Sequence, residues 1–430
     1  MTTVGEQVAF FRLRNSVQRY DWGSTSAIQE LLGLEVDGRP AAELWMGAHP
    51  SAPSVAVPLD GVGGASSGGD AAGTLLDLVR AQPVAMLGAR VLDTYGPRLP
   101  FLLKVLAAER ALSLQVHPHP HRARAGFNRE NREGVPRDSP LRSFHDDQHK
   151  PEMVVAVSRF DGLSGFRRPR RVLELLDGLD GDLVARMRTV LAARPTEAGV
   201  REAFTLALHA RTEPDVADDL ARTVAAVRAR HGAGSAGTGP GTGPGAGSRR
   251  ADSTVLALAE QHPGDPGAVV SLMLNRVTLE PGEAMFVPSG HVHAYLSGCA
   301  VEIMASSDNV LRAGLTSKLV DVDALLECAT CEPGPAARPR VVADASSGLT
   351  TYRPPVAEFA LGAGEVLPGG AVDLPDAGPR VVLNLAGELV LAAGADGEAL
   401  LRRGESVFVP HAAGPLSVRG DGRVVVAYVP

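Results

Sequence analysis

The stretch SLQVHPHPH, from Ser113 to His121, sets a glutamine and a histidine two residues apart. In an extended chain Gln115 and His117 point to the same side. Glu152 follows the phrase HKP where another strand, PEMVVAVSRF, begins. An amide oxygen, an imidazole and a carboxylate brought together could begin a zinc site. A plainer reading competes with that one. His117, His119, His121, His145 and His149 all fall in one polar stretch, and such a run also suits a solvated loop. Lysine gives a second signal. Lys104, Lys150 and Lys318 are the only lysines against a background of arginine. A lysine kept in that background points to a place that needs a compact ammonium. Other patterns carry less. CATC (Cys328 to Cys331) has no second pair and reads as two ordinary thiols. FRRPRRV (Phe166 to Val172) reads as a solvated helix boundary. No phosphate-binding glycine loop or dinucleotide fingerprint occurs, so ATP and NAD are not implied.

Composition narrows the classes. The 430 residues carry 42 Lys plus Arg against 49 Asp plus Glu, a formal charge of −7, with 44% hydrophobic residues. That is an ordinary globular composition, long enough for two or three domains. A mildly acidic chain has no global charge reason to bind nucleic acid. No apolar run approaches the ~20 residues of a membrane span. VAFF near the N-terminus is too short for a signal peptide. Three cysteines, Cys299, Cys328 and Cys331, cannot build a disulfide framework and fit a reducing cytoplasm.

The elements that must position these residues are mostly strands. LPFLLKVLAAERALSLQVH reads as buried strands, and strands resume from about residue 255 to the C-terminus. Between them Val172, Leu176, Leu179, Leu183, Met187 and Val190 recur at helical spacing. A second stripe runs through Val216, Leu220, Val224 and Val227. HGAGSAGTGPGTGPGAGSRR then cannot bury a core and is expected to be a mobile linker.

PGEAMFVPSGHVHAYLSG (Pro281 to Gly298) resembles the second motif of the cupin superfamily, with Gly282, Pro288, Gly290 and His293 at that motif's spacing. RGESVFVPHAAGPLSV repeats its opening: Gly404 and Pro410 match Gly282 and Pro288, but Pro415 stands where His293 would be. The expected fold is mainly β with a helical insertion: two cupin-like β-barrel (jelly-roll) domains plus an α-helical domain. The catalytic barrel is expected over residues 1–160 and 255–325, the helical insertion over 161–230 and the linker over 231–254. Residues 326–430 would form a second barrel without metal ligands. With His293, the candidate ligands become Gln115, His117, Glu152 and His293, which suit one zinc per chain with a position open to substrate.

LPFLLKVLAAERALSLQVHPH, HKPEM and GHVHAYLSGCAVEIMASSDNVLRAGLTSKLVDV resemble the type I phosphomannose isomerases. YDWGS and ELWMGAHPSAPS fit as well, so the resemblance spans essentially the whole chain. It implies reversible interconversion of mannose 6-phosphate and fructose 6-phosphate through a cis-enediol. By the family pattern Gln115, His117, Glu152 and His293 match the zinc ligands and Arg312 the catalytic arginine. Glu302, Asp308, Lys150 and His149 lie in matching motifs as candidates for moving the proton. Lys104 and Lys318, with Ser113, are expected to hold the phosphate, unless Lys104 pairs with a buried carboxylate. Glu43, Trp22 and Tyr295 are expected at the sugar, with Trp45 in the wall or its support. The partner is thus a small phosphosugar, with no nucleic acid or membrane; the oligomeric state is open, a monomer being plausible. Two rival readings stand beside this one: an iron-dependent cupin oxygenase and a non-catalytic sugar-phosphate sensor on the same fold.

Overall fold

The computed structural model describes residues 10–59, 73–235, 246–344, 348–394 and 397–430. Its strands fall into two antiparallel sheet systems. Strand Phe101–Ala108 shows how they meet. FLLKVLAA is apolar at all but one position because both of its faces are covered. Phe101, Leu103, Val105 and Ala107 enter a core shared with Leu361, Val381 and Phe408 of the second sheet. Leu106 and Ala108 face the other way, into the first barrel with Phe160, Met285 and Tyr295. Period two carries Lys104 inward with them.

The long strand His293–Ala305 organises the first barrel. Its second half lies between two partners, with Glu302 opposite Lys104 on one side and Met304 opposite Glu152 on the other. A register shift between Tyr295 and Ser297 turns the strand. Its first residue, His293, then lies opposite Ser164 and Gln115. Leu311–Gly314 runs beside Leu114–Val116, placing Arg312 opposite Gln115.

In the second barrel, Arg380–Ala393 and Leu416–Tyr428 pair over most of their length. Two strands from the start of the chain extend this sheet: Phe10–Arg14 pairs with Ser406–Val409 and with Val55–Leu59. The expectation that residues 1–160 all serve the first barrel is corrected accordingly. The reason lies in two adjacent phenylalanines: Phe10 enters the second barrel's own core and Phe11 the shared core.

The helical segment is displaced too. Phe160–Phe166 is a strand paired with Leu274–Leu279, so these helices begin at Pro169 rather than at 161. They include Asp182–Ala193, Glu197–Ala210, Val216–Ser235, Ala246–Gln261 and Gly267–Val270. The expected linker over 231–254 is helical to Ser235 and again from Ala246; its centre lies outside the described residues. Val227, Val255 and Leu258 sink into one core, and that packing carries helix into the flanks. No helix among the described residues is long and apolar enough to cross a membrane.

Candidate functional site

His117 and His293 are fully buried, with ring centroids 4.9 Å apart. His117 Nδ1 lies 2.6 Å from the Asn309 carbonyl oxygen, and His293 Nδ1 lies 3.0 Å from that of His291. A carbonyl can only accept, so each ring carries its proton on Nδ1 and turns a bare Nε2 the other way. The two Nε2 atoms lie 3.2 and 3.3 Å from the two oxygens of Glu152, and neither makes a hydrogen bond. Acceptors thus converge without a proton between them, all within 4.8 Å. Such a buried set is suited to holding a cation. Burial, helped by the Lys150 ammonium, pushes His117 down to about 4 and keeps it neutral. Burial raises the Glu152 carboxyl, but the Lys150 ammonium, with Nζ 2.6 Å away, outweighs it and holds it well below its ordinary value. Two nitrogens and a carboxylate, with both tautomers fixed by backbone carbonyls, fit zinc. Gln115 pairs with His293 on the adjoining strand and lines the same cavity as Glu152.

Glu152 opens onto a cavity of about 450 Å³, a volume that encloses a small organic ligand. Its floor is a buried charge cluster. Lys104 Nζ lies 3.1 Å from Glu302 and 3.3 Å from Glu43, and 5.0 Å from the centre of the Trp45 ring. Burial works against that ammonium, yet Glu302, Glu43 and Glu152 together raise it above its ordinary value. Glu43 also accepts from Trp45 Nε1 at 2.7 Å. Tyr295 donates to Glu152 at 3.3 Å, and burial followed by the nearby Glu152 and Glu302 charges keeps its phenol protonated. Arg312 lines the wall half-buried, without a carboxylate partner among the described residues; burial lowers it, but a guanidinium stays charged. Asp308 faces the cavity as well, accepting from Ser51 Oγ at 2.6 Å with His49 Nε2 at 3.6 Å.

The structure therefore gathers Trp22, Ser113, Lys150, Glu302 and Lys318 with Gln115, Glu152 and Arg312 around one cavity. His149 is the exception. Its Nε2 lies 2.7 Å from Glu358 in a separate small cleft with Tyr95 and Arg98. Lys150 turns to Glu152 while His149 is held on Glu358 in that other cleft, so His149 is withdrawn from the proton-moving group. Lys104 is held by two carboxylates, the alternative to phosphate contact. The sequence reading did not single out Tyr20, Arg110 or His262, which also line the cavity. Tyr20 and Arg110 fall inside phrases already noted, whereas His262 is a lone histidine after a helix and carried no signal. Cys328 and Cys331 are buried free thiols, pushed up to about 12 and about 11 by burial, and are inert accordingly.

Residues 10–169 match the family described as phosphomannose isomerase type I, catalytic domain. The chain is 33% identical to mannose-6-phosphate isomerase of Escherichia coli (strain K12) over 420 residues, 97% of this chain and 99% of that one. It is 34% identical to mannose-6-phosphate isomerase of Salmonella typhimurium over 421 residues, again 97% and 99%. Among solved structures, mannose 6-phosphate isomerase bound with zinc and yttrium superposes with a TM-score of 0.82 at 33% identity, covering 98% of this chain and 99% of that chain.

Proposed function

The chain belongs to the type I phosphomannose isomerase family, and from that membership we propose that it interconverts mannose 6-phosphate and fructose 6-phosphate through a cis-enediol, with one zinc per chain. The observation that carries this reading is the buried acceptor set of His117, Glu152 and His293, whose Glu152 opens on a cavity also lined by Arg312. Gln115 completes the ligand set. Zinc held there supplies a Lewis acid to the sugar oxygens.

The reaction removes a proton from C2 of the open-chain aldose, leaves an enediolate across C1 and C2, and returns a proton to C1. The oxygens are reprotonated in the opposite sense. Arg312 lies across from Gln115 and offers a permanent cation to the enediolate oxygen. Lys150 and Asp308 face the cavity as the groups able to give and take a proton. Glu302 is committed to Lys104, and with Glu43 that pair fixes the floor. Ser113 and Lys318 line the cavity where a phosphate can be met, Lys318 at the exposed mouth. Trp22, Glu43 and Tyr295 shape the sugar end. The three free cysteines support work in a reducing cytoplasm.

Zinc-loaded protein given mannose 6-phosphate labelled with deuterium at C2 tests this. We expect fructose 6-phosphate, with part of the label lost to water. Absence of product overturns the isomerase reading. Product that retains all label at C1 overturns the enediol route alone.

A further inference from the structure

Lys318 can hold a phosphate only if its loop is itself held. The strand Leu311–Gly314 carries Arg312, and the chain then turns through Leu315 and Thr316 toward Lys318. Leu315 has φ 54 and is the one non-glycine residue with positive φ among the described residues. A branched side chain keeps that backbone only where its surroundings over-determine it.

Those surroundings come from the helical insertion. Leu315 is 2% exposed and packs on Gly267, where an added Cβ would lie 2.9 Å from Leu315 Cγ. A Cβ on Gly314 would meet Asp265 Oδ1 and Gly267 Cα, both at 3.2 Å. Asp265 Oδ1 accepts from the Gly267 N–H at 2.8 Å. Its Oδ2 accepts from Arg211 Nη1 at 2.6 Å and from the Thr316 N–H at 3.3 Å. Arg211 Nη2 donates to the Thr316 carbonyl at 3.1 Å. Both backbone polar groups of Thr316 are therefore captured by one ion pair drawn from two helix ends. The same segment grips the other loop. Gln261, the last residue of Ala246–Gln261, accepts from the Ala111 N–H at 2.9 Å, two residues before Ser113. His262 follows and lines the cavity.

We infer that Gln261 to Asp265, together with Arg211, is the positioning element for the phosphate end of the cavity. It sets the loops bearing Ser113 and Lys318, so the helical insertion governs how tightly phosphate is held rather than how bonds are made. This rests on the reading of Ser113 and Lys318 as phosphate contacts.

The test is calorimetric binding of inorganic phosphate to the zinc-loaded full chain, with KM and kcat for mannose 6-phosphate beside it. Asp265→Asn and Arg211→Gln are compared with wild type, and Asp265→Asn is repeated in a Lys318→Ala background. Each single variant should bind phosphate roughly tenfold more weakly, because a misplaced contact far from the chemistry still costs binding. KM should rise in step, kcat should fall less, and zinc content should hold. In the Lys318→Ala background the Asp265→Asn loss should largely vanish, since the two act through one contact. Unchanged phosphate affinity overturns the inference, as does an equal loss in both backgrounds or a phosphate affinity indifferent to Lys318. Arg211→Gln decides the matter where Asp265→Asn does not fold. A wild type that binds phosphate in this pattern without turnover sinks the isomerase reading and leaves the clamp standing.

Discussion

In the first barrel the chain runs from Gly282, φ 86, through Pro288 to His293; in the second it runs from Gly404, φ 81, through Pro410 to Pro415. The two glycines turn in the same left-handed way, and each proline follows a buried strand, Ala284–Val287 or Ser406–Val409. Beyond the prolines the barrels part. The first gathers two bare imidazole nitrogens and a carboxylate. The second closes on Arg380, which is fully buried and donates to the carbonyl oxygens of Pro375, Gly414 and Pro410 at 3.0, 2.7 and 2.9 Å. Burial pushes that guanidinium down to about 10, still charged at neutral pH. The same turn thus collects acceptors in both barrels. The first leaves them for a metal, and the second supplies a cation from its own chain.

The sharpest way to break this contrast is to remove a ligand. Altering a mere supporting partner of a metal ligand costs ~10–100-fold, so Glu152→Ala or His293→Ala should cost more than that in turnover and lose bound zinc by elemental analysis. Pro415→His should gain no metal, because Arg380 already occupies the acceptors. Arg312→Met should lower kcat by about 10²–10³-fold, the usual cost of losing a donor aimed at developing charge, with zinc retained. A variant that changes KM alone contradicts the role given to Arg312. Arg380→Met should destabilise by about 3 kcal/mol in urea unfolding, since it strands buried carbonyls, while activity per folded molecule persists. Lost activity without lost stability would mean that the second barrel does more than hold itself together.

The smallest effect concerns the contact between the barrels, His149 with Glu358. Burial raises the Glu358 carboxyl, but its hydrogen bond to His149 and that ring's charge lower it below its ordinary 4.5. A lowered acid stabilises the fold fully above its unfolded value and loses that contribution as pH falls through the folded value. Glu358→Gln should therefore cost about 1 kcal/mol at neutral pH, with the gap from wild type closing well below pH 4.5. A gap that widens in acid contradicts this pairing.

Much of the site was legible because its signals are local. Gln115 and His117 are two residues apart, and His293 sits in a turn spelled by glycine and proline. Lys104, alone in an apolar strand, had to face something polar. The rest depends on distant partners. Phe11 pairs with Phe408, and nothing in FFRLR names that partner. The side to which His149 turns depends on Glu358, and the strain at Leu315 depends on Gly267 and Asp265 in a helical segment with no motif of its own.

The measurement that bears most directly on the account is zinc per chain counted together with mannose 6-phosphate turnover, as chelated protein is titrated back with zinc. The account predicts turnover that rises in proportion to occupancy and stops at one zinc per chain. Two zincs per chain, or turnover indifferent to occupancy, would contradict it.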